Sequence, residues 1–94
     1  MSSFVNAKEE FELSATLVKG LKQKPTDDEL LSLYGLYKQS TEGDNKTTQP
    51  SMFYLKDNAK WKAWTANKGQ QKEAAMKKYS ELVMKLVDKY GVKA

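Results

Sequence analysis

Residues 24–44 read KPTDDELLSLYGLYKQSTEGD and contain the clearest helix signals in the chain. Pro25 ends the helix before it, because its ring removes a backbone donor and blocks helical continuation. Residues 26–29 form a capping box, in which the Thr26 hydroxyl accepts from the Glu29 amide and the Glu29 carboxylate reaches back. Gly43 suits a left-handed helix end. The sequence therefore predicts a helix over about 27–41.

Apolar residues on both sides of this stretch recur every three or four positions, as on one face of a helix. In the helix over 27–41 they are Leu30, Leu33, Tyr34 and Tyr37. In a first helix, which Pro25 terminates, they are Phe4, Ala7, Phe11, Ala15, Val18 and Leu21. In a long last helix, closed by Gly91, they are Ala75, Tyr79, Leu82, Val83, Leu86 and Tyr90.

A third helix is predicted with Asp57 as its N-cap and Gly69 as its stop. The last helix lacks a good N-cap, because Gln71 stands where Ser, Thr or Asp would serve. Residues 44–56 show neither the helical nor the strand period, so we expect a loop. Its apolar run over 52–55 favours a loop packed on the body of the protein. Four helices in one domain, 1–94, make the fold class all-α.

The composition indicates binding rather than catalysis. The 94 residues are 39% hydrophobic and 30% charged, as in an ordinary soluble domain. The chain has no Cys and no His, which excludes thiol nucleophiles, disulfides, Cys/His zinc sites and imidazole acid–base chemistry. The acidic residues 27–29 are explained by capping and by the helix dipole. We therefore expect no enzyme, no metal and no cofactor.

Positive charge is concentrated in the second half of the chain. All 16 cations are Lys. Residues 1–45 hold 5 Lys and 8 acids, a net of −3, and residues 46–94 hold 11 Lys and 4 acids, a net of +7. An anionic partner should prefer the second half. The alternative is a solvated lysine surface that serves solubility.

The N-terminal residues lack the pattern of a targeting signal, and no run of 18 apolar residues occurs. These features predict a soluble cytoplasmic protein without stable membrane insertion.

Three groups of residues are candidates for binding. Tyr34, Tyr37 and Lys38 share one helical face and could stack a base beside a phosphate, unless both tyrosines are core residues. Lys60 borders the loop and a helix N-terminus, where phosphates bind, although the neighbouring tryptophans are more often core anchors. Tyr79 is a phenol on an apolar face that needs a hydrogen-bond partner, which could equally be a backbone carbonyl.

Taken together, four segments resemble the acyl-CoA-binding protein family. The most specific is Tyr-x-x-Tyr-Lys-Gln-x-Thr-x-Gly-Asp at 34–44, followed at matching distance by Lys-Trp-x-x-Trp at 60–64. The others are residues 24–31 and 75–79, so the resemblance covers essentially the whole chain from Phe11 to Gly91. It implies an up-down four-helix bundle and one medium- to long-chain acyl-CoA held in a surface groove.

The resemblance also implies roles for individual residues. Tyr37 should stack near the adenine, and Lys38 and Lys60 should meet the 3′-phosphate of the ribose. Tyr34 would contact a phosphate or the ribose, Tyr79 the adenine side, and Lys19 and Lys56 the edge of the head group. The residues expected near the acyl chain are Ala15, Leu30 and Leu31. Glu42 and Lys46 depart from the usual family residues and alter the charge near the loop.

The resulting hypothesis is a non-catalytic intracellular carrier and buffer of acyl-CoA in fatty-acid metabolism. We expect a monomer with transient contacts to enzymes that use acyl-CoA. One alternative is a small basic nucleic-acid-binding protein, which the absence of Arg disfavours. The other is a helical module that binds protein partners and no small ligand.

Overall fold

The structure is a computed structural model that describes residues 6–93. This part of the chain forms four α-helices and no strand, which confirms the all-α prediction. The helices are α1 Ala7–Leu17, α2 Asp27–Glu42, α3 Leu55–Thr65 and α4 Lys72–Tyr90. None of them combines the length and the apolar character needed to cross a lipid bilayer.

Helix α1 is shorter than its apolar period predicted. Asn6 caps it: the Asn6 Oδ1 accepts from the Glu9 amide at 2.8 Å, and the Glu9 carboxylate accepts from the Asn6 amide. Phe4, where the predicted pattern begins, lies outside the described residues. The prediction that the helix continues to Pro25 is wrong, because a 3₁₀ turn over Val18–Gly20 ends it.

The segment after this turn is extended because it pairs with the C-terminal segment. Leu21 is buried and forms an isolated antiparallel bridge with Val92. The amide of Lys22 donates to the carbonyl of Gly91 at 3.0 Å, and the amide of Lys93 donates to that of Gly20 at 2.8 Å. This contact joins positions about 70 residues apart, so local periodicity could not indicate it.

Helix α2 begins and ends almost where the sequence placed it. The Thr26 hydroxyl accepts from the Glu29 amide at 3.2 Å, and the Glu29 carboxylate accepts from the Thr26 amide at 2.8 Å. Gly43 follows the helix with a φ of 81° and donates to the carbonyl of Gln39. The capping box and the glycine stop are both confirmed.

Helix α3 begins at Leu55, two residues before the predicted N-cap. The prediction of Asp57 as N-cap is wrong: the capping position is Tyr54, which makes no side-chain capping bond. Asp57 instead lies in the first turn, where its carboxylate is favoured by the helix dipole. In α4, Gln71 also makes no side-chain capping bond, as expected.

Helix α4 is the centre of the bundle. It packs against both α1 and α2, and α3 packs on the far side of α2. The backbones of α1 and α2 do not pack on each other, so side chains bridge the space between them. The buried apolar core consists of Phe11, Leu21, Leu33, Trp64, Ala75, Tyr79, Val83 and Leu86.

Helices α2 and α3 approach closely at Gly35. A Cβ added to Gly35 would lie 2.3 Å from the carbonyl oxygen of Ala63, a distance that no side chain tolerates without moving backbone. Gly35 is therefore a packing requirement, because any side chain at this position separates α2 from α3.

The loop between α2 and α3 does not bury its apolar run. Met52, Phe53, Tyr54 and Leu55 have 74%, 88%, 63% and 77% of their surface exposed, so the prediction that they pack on the body is wrong. The loop is held instead by polar contacts on its other side. The side-chain Nδ2 of Asn58 donates to the carbonyl of Pro50 at 3.2 Å.

Candidate ligand groove

Three aromatic rings from three helices meet between α1 and α2. Phe11 on α1 lies 5.3 Å from Tyr37 on α2 and 5.0 Å from Tyr79 on α4, measured between ring centroids. The two tyrosine rings are 5.9 Å apart. Tyr79 is 4% exposed and forms the floor, whereas Tyr37 is 42% exposed and forms a wall. The cluster leaves an aromatic face open to solvent on α2.

A depression of about 280 Å³ lies beside this cluster. Its walls bring together four residues that the sequence singled out: Lys19, Tyr34, Tyr37 and Tyr79. Apolar side chains complete it: Val18, Pro25, Leu30 and Leu33. Such a mixture suits a ligand with both an aromatic and an apolar part.

Tyr79 keeps its proton throughout the physiological range. Burial raises the pKa of its hydroxyl above the usual value, and the neighbouring Tyr37 adds to the increase. Within residues 6–93 that hydroxyl has no hydrogen-bond partner, so the backbone carbonyl considered as an alternative is not found there. A neutral phenol that lines an open depression can donate a hydrogen bond to a ligand.

A second depression, of about 240 Å³ and here called the lysine depression, lies between α2, α3 and the loop and has Lys60 in its wall. The Nζ of Lys60 is 5.6 Å from the ring centroid of Tyr34, and the Nζ of Lys38 is 4.8 Å from that of Trp64. Both rings line the depression. Lys60 therefore lines the depression, and the Lys38 ammonium lies against the ring of Trp64, one of its wall residues.

The two lysines differ in what they contact. Lys38 forms an ion pair with Glu42, one helical turn away. This contact raises the pKa of the Lys38 ammonium. Lys60 is exposed and makes no ion pair with a residue that the structure describes. Among the two, Lys60 has its charge available for a ligand.

An apolar trough of about 360 Å³ lies between the start of α2 and the start of α3. Its walls are Asp27, Leu30, Leu31, Leu55, Lys56, Ala59 and Lys60. The predicted chain-binding residues Leu30 and Leu31 and the predicted head-group residues Lys56 and Lys60 thus border the same space. Charged and apolar positions meet at this trough.

These three depressions adjoin one another around shared wall residues and are together called the groove. Leu30 lines both the aromatic depression and the trough, Tyr34 lines both the aromatic and the lysine depressions, and Lys60 lines both the lysine depression and the trough. Ala15 lies elsewhere: it borders a further depression of about 490 Å³ that meets the aromatic one at Tyr37. The structure therefore does not bring Ala15 together with Leu30 and Leu31.

Comparisons with known proteins identify the family. The model of the family described as acyl CoA binding protein matches residues 8–83. The chain is 53% identical to acyl-CoA-binding protein homolog 1 of Caenorhabditis elegans over 81 residues, which cover 86% of this chain and 94% of the worm protein. The chain belongs to the acyl-CoA-binding protein family.

Solved structures of acyl-CoA-binding proteins share the fold. Oryza sativa acyl-CoA-binding protein 2 superposes with a TM-score of 0.85 at 43% identity, covering 88% of this chain and 90% of the rice chain. The solution structure of acyl coenzyme A binding protein from yeast gives a TM-score of 0.69 at 49% identity, covering 86% and 94%. The resemblance read from the sequence and the bundle it implied are both confirmed.

The acyl-CoA-binding family motif also contains residues whose role here is structural. Gln39 is fully buried, and its Nε2 donates to the Asp44 carboxylate at 2.9 Å and to the Gln70 carbonyl at 2.8 Å. The Gly69 amide donates to the same carboxylate, and this bond is the main cause that lowers the pKa of Asp44. The network ties the end of α2 to the turn before α4.

The two tryptophans fix the loop that borders the groove. The indole of buried Trp64 donates to the carbonyl of Gly43 at 2.8 Å, and that of Trp61 donates to Thr47 at 3.0 Å. Both tryptophans are therefore anchors, as the sequence analysis considered, and their rings also line the lysine depression. Phe11 was not predicted as a site residue, although its place in the helical period of α1 indicated burial.

Proposed function

We propose that the chain binds one acyl-CoA ester non-covalently and carries it without catalysing a reaction. The single observation behind this proposal is the groove of adjoining depressions, in which Lys60, Tyr34 and Tyr37 border an apolar trough and its neighbours. Acyl-CoA has the matching form, because a phosphorylated nucleotide is joined through a linker to an apolar chain. Membership of the family supports the same ligand.

Lys60 and Lys38 are proposed to hold the 3′-phosphate of the ribose. An ammonium about 4 Å from a phosphate contributes about 1–4 kcal/mol, depending on screening. Because ammonium groups are point charges, they select for negative charge more than for shape. Lys19 and Lys56 border neighbouring parts of the groove and would contact the edge of the head group.

The tyrosines are proposed to hold the nucleoside. The open face of Tyr37 would stack on the adenine, and the Tyr79 hydroxyl would donate a hydrogen bond on the adenine side. Tyr34 lies between the aromatic and lysine depressions, a position suited to a phosphate or ribose contact. Stacking of a base on an aromatic side chain contributes about 1–3 kcal/mol.

The trough at Leu30 and Leu31 is proposed to hold the acyl chain. Each buried methylene contributes about 0.8 kcal/mol. A long chain therefore contributes on the order of 10 kcal/mol at most, less what it already hides by coiling in water. Ala15 would contact only a ligand that reaches past Tyr37.

Titration calorimetry tests the proposal with a long-chain acyl-CoA, with CoA and with the free fatty acid. The ester should bind at micromolar Kd or tighter, and the two parts should each bind far more weakly. Equal affinity for the ester and the free acid would contradict the head-group assignment. The nucleic-acid alternative gains no support from the comparisons, and salt-steep DNA or RNA binding in a gel-shift assay would revive it.

The same proposal includes a single acyl-CoA-binding domain over 1–94 and a cytoplasmic monomer that needs no cofactor. The single domain is supported by relatives of similar length, since 81 matched residues cover 94% of the worm protein. Transient contacts with enzymes that use acyl-CoA follow from a carrier role. Sedimentation of the purified protein and fractionation of cells that express it test the monomer and the cytoplasmic location.

A further inference from the structure

The lysine depression contains a negative charge that the attraction of a phosphate does not require. Two of its wall residues are charged, and they have opposite signs: Lys60 and Asp57. Both are exposed, and both lie on α3, three positions apart. The other wall residues are neutral. An anion that enters the depression therefore meets one attracting and one repelling side chain.

Lys60 does not neutralise Asp57. Asp and Lys three positions apart on a helix are close enough to form an ion pair. Neither of the two ion pairs in the part of the chain that the structure describes includes Asp57 or Lys60. The Lys60 ammonium lies instead 5.6 Å from the ring centroid of Tyr34, on α2. The two charges are therefore separate, and each keeps its own effect on a ligand.

The depression is small enough for both charges to act on one bound anion. Its volume is about 240 Å³. The Debye length at physiological ionic strength is about 8 Å, so a phosphate in such a space is only partly screened from its walls. Attraction to Lys60 is thus partly offset by repulsion from Asp57.

The position of Asp57 at the start of α3 adds to this effect. Asp57 lies in the first turn of the helix, where unpaired backbone amides attract anions. A carboxylate in that turn is itself stabilised by the helix dipole. Asp57 therefore offsets part of the positive field that a ligand phosphate would otherwise meet.

We propose that Asp57 is a specificity-determining residue, whose carboxylate weakens the hold of the lysine depression on the 3′-phosphate and so limits the affinity for acyl-CoA. This assignment rests on the proposed function, which places the phosphate beside Lys60. Asp57 differs from Glu42, which pairs with Lys38 and is not a wall residue of the groove. Asp57 acts on the ligand directly.

Calorimetry of Asp57→Asn tests the proposal with a long-chain acyl-CoA and with the same ester lacking the 3′-phosphate. The variant should bind the phosphorylated ester about two- to fivefold more tightly, as expected when one exposed charge near another is removed. The ester without the 3′-phosphate should gain less, so the ratio of the two affinities should increase. The gain should shrink as salt increases.

The matched control is Asp88→Asn, which removes the same charge from an exposed position on α4 outside the groove walls. This variant should leave both affinities unchanged. An equal gain in the two variants would show that only the net charge matters and would overturn the proposal. So would weaker binding by Asp57→Asn, because the carboxylate would then accept a hydrogen bond from the ligand.

Thermal unfolding separates this role from a purely structural one. Asp57→Asn should lower the stability slightly, because the first turn of α3 loses a favourable charge, but a structural role alone would leave the ratio of affinities unchanged. If the unaltered protein binds both esters equally, the phosphate assignment of the proposed function fails, and this inference with it. If the unaltered protein prefers the phosphorylated ester and Asp57→Asn keeps the same preference, the inference about Asp57 alone is wrong.

Discussion

The two glutamate–lysine pairs among the described residues are chemically alike but differ in setting. In one, Glu29 at the start of α2 accepts from Lys89 at 2.9 Å and from the Tyr90 hydroxyl at 2.6 Å at the end of α4. In the other, Lys38 and Glu42 are one turn apart on α2. The first pair joins two helices, whereas the second lies within one helix.

Exposure is reversed between the pairs. Glu29 is the covered member of its pair, with a side chain 20% exposed against 57% for Lys89. Lys38 is the covered member of the other, at 24% against 52% for Glu42. In the first pair the covered member is the Glu29 carboxylate, whose contacts hold the start of α2 against the end of α4. In the second pair the covered member is the Lys38 ammonium, which lies against Trp64 beside the groove and which we propose exchanges Glu42 for a ligand phosphate.

Lys60, which makes no ion pair with a described residue, is the reference for the effect of the Lys38–Glu42 pair on acyl-CoA affinity. Lys60→Ala should weaken acyl-CoA binding about tenfold to a hundredfold, because a hydrogen bond between charged groups contributes about 1.5–3 kcal/mol. Calorimetry measures the loss. Lys62→Ala, two residues along the same helix and outside the groove walls, is the matched control and should have no effect on affinity. A Lys60→Ala variant with unaltered affinity would refute the phosphate site.

Lys38→Ala should cause a smaller loss, about twofold less than that of Lys60→Ala. The ligand phosphate must displace Glu42, and an exposed pair of this spacing contributes about 0.3–0.5 kcal/mol that is given up on binding. The same calorimetric titration compares the two variants. A larger loss at Lys38 than at Lys60 would show that the ion pair does not compete with the ligand.

Glu42→Gln should strengthen acyl-CoA binding about twofold, since it frees the Lys38 ammonium. In a Lys38→Ala background the same change should have no effect, so a double-mutant cycle isolates the competition. A gain that persists without Lys38 would instead indicate general repulsion between Glu42 and the ligand.

Glu29→Gln should leave acyl-CoA affinity unchanged and lower the stability of the fold. The Tyr90 hydroxyl, Lys89 and the Thr26 amide together lower the pKa of Glu29 to about 2 from 4.5. Its contribution to stability is therefore complete above about pH 4.5 and is lost as the pH falls towards 2. Thermal unfolding of both proteins over this pH range should show that Glu29→Gln is less stable at neutral pH and converges with the unaltered protein in acid. A constant difference in stability across that range would contradict this role of Glu29.

The features that the sequence predicted correctly are local ones. The capping box at Thr26, the glycine stop at Gly43 and the apolar face of α4 each depend on residues a few positions apart. The early end of α1 and the exposure of Phe53 depend on distant contacts: Leu21 pairs with Val92, and the loop is anchored through Asn58. No local pattern contains these partners.

In the site, too, the local features were predicted from the sequence and the contacts between helices were not. The spacing of Tyr34, Tyr37 and Lys38 predicted one shared surface; the structure places the two tyrosines in the walls of adjoining depressions and Lys38 against Trp64 beside them. The approach of Lys60 to Tyr34 joins two helices, and only the family resemblance indicated it. The sequence showed that Glu42 alters the charge, but its pairing with Lys38 became visible only when side chains were in place.

The most direct test of the central claim compares the affinity of a long-chain acyl-CoA with that of the same ester lacking the 3′-phosphate. The unaltered protein should prefer the phosphorylated ester by about tenfold or more, and the Lys60→Ala variant should lose most of that preference while still binding both esters. Equal affinity of the unaltered protein for the two esters would contradict the account.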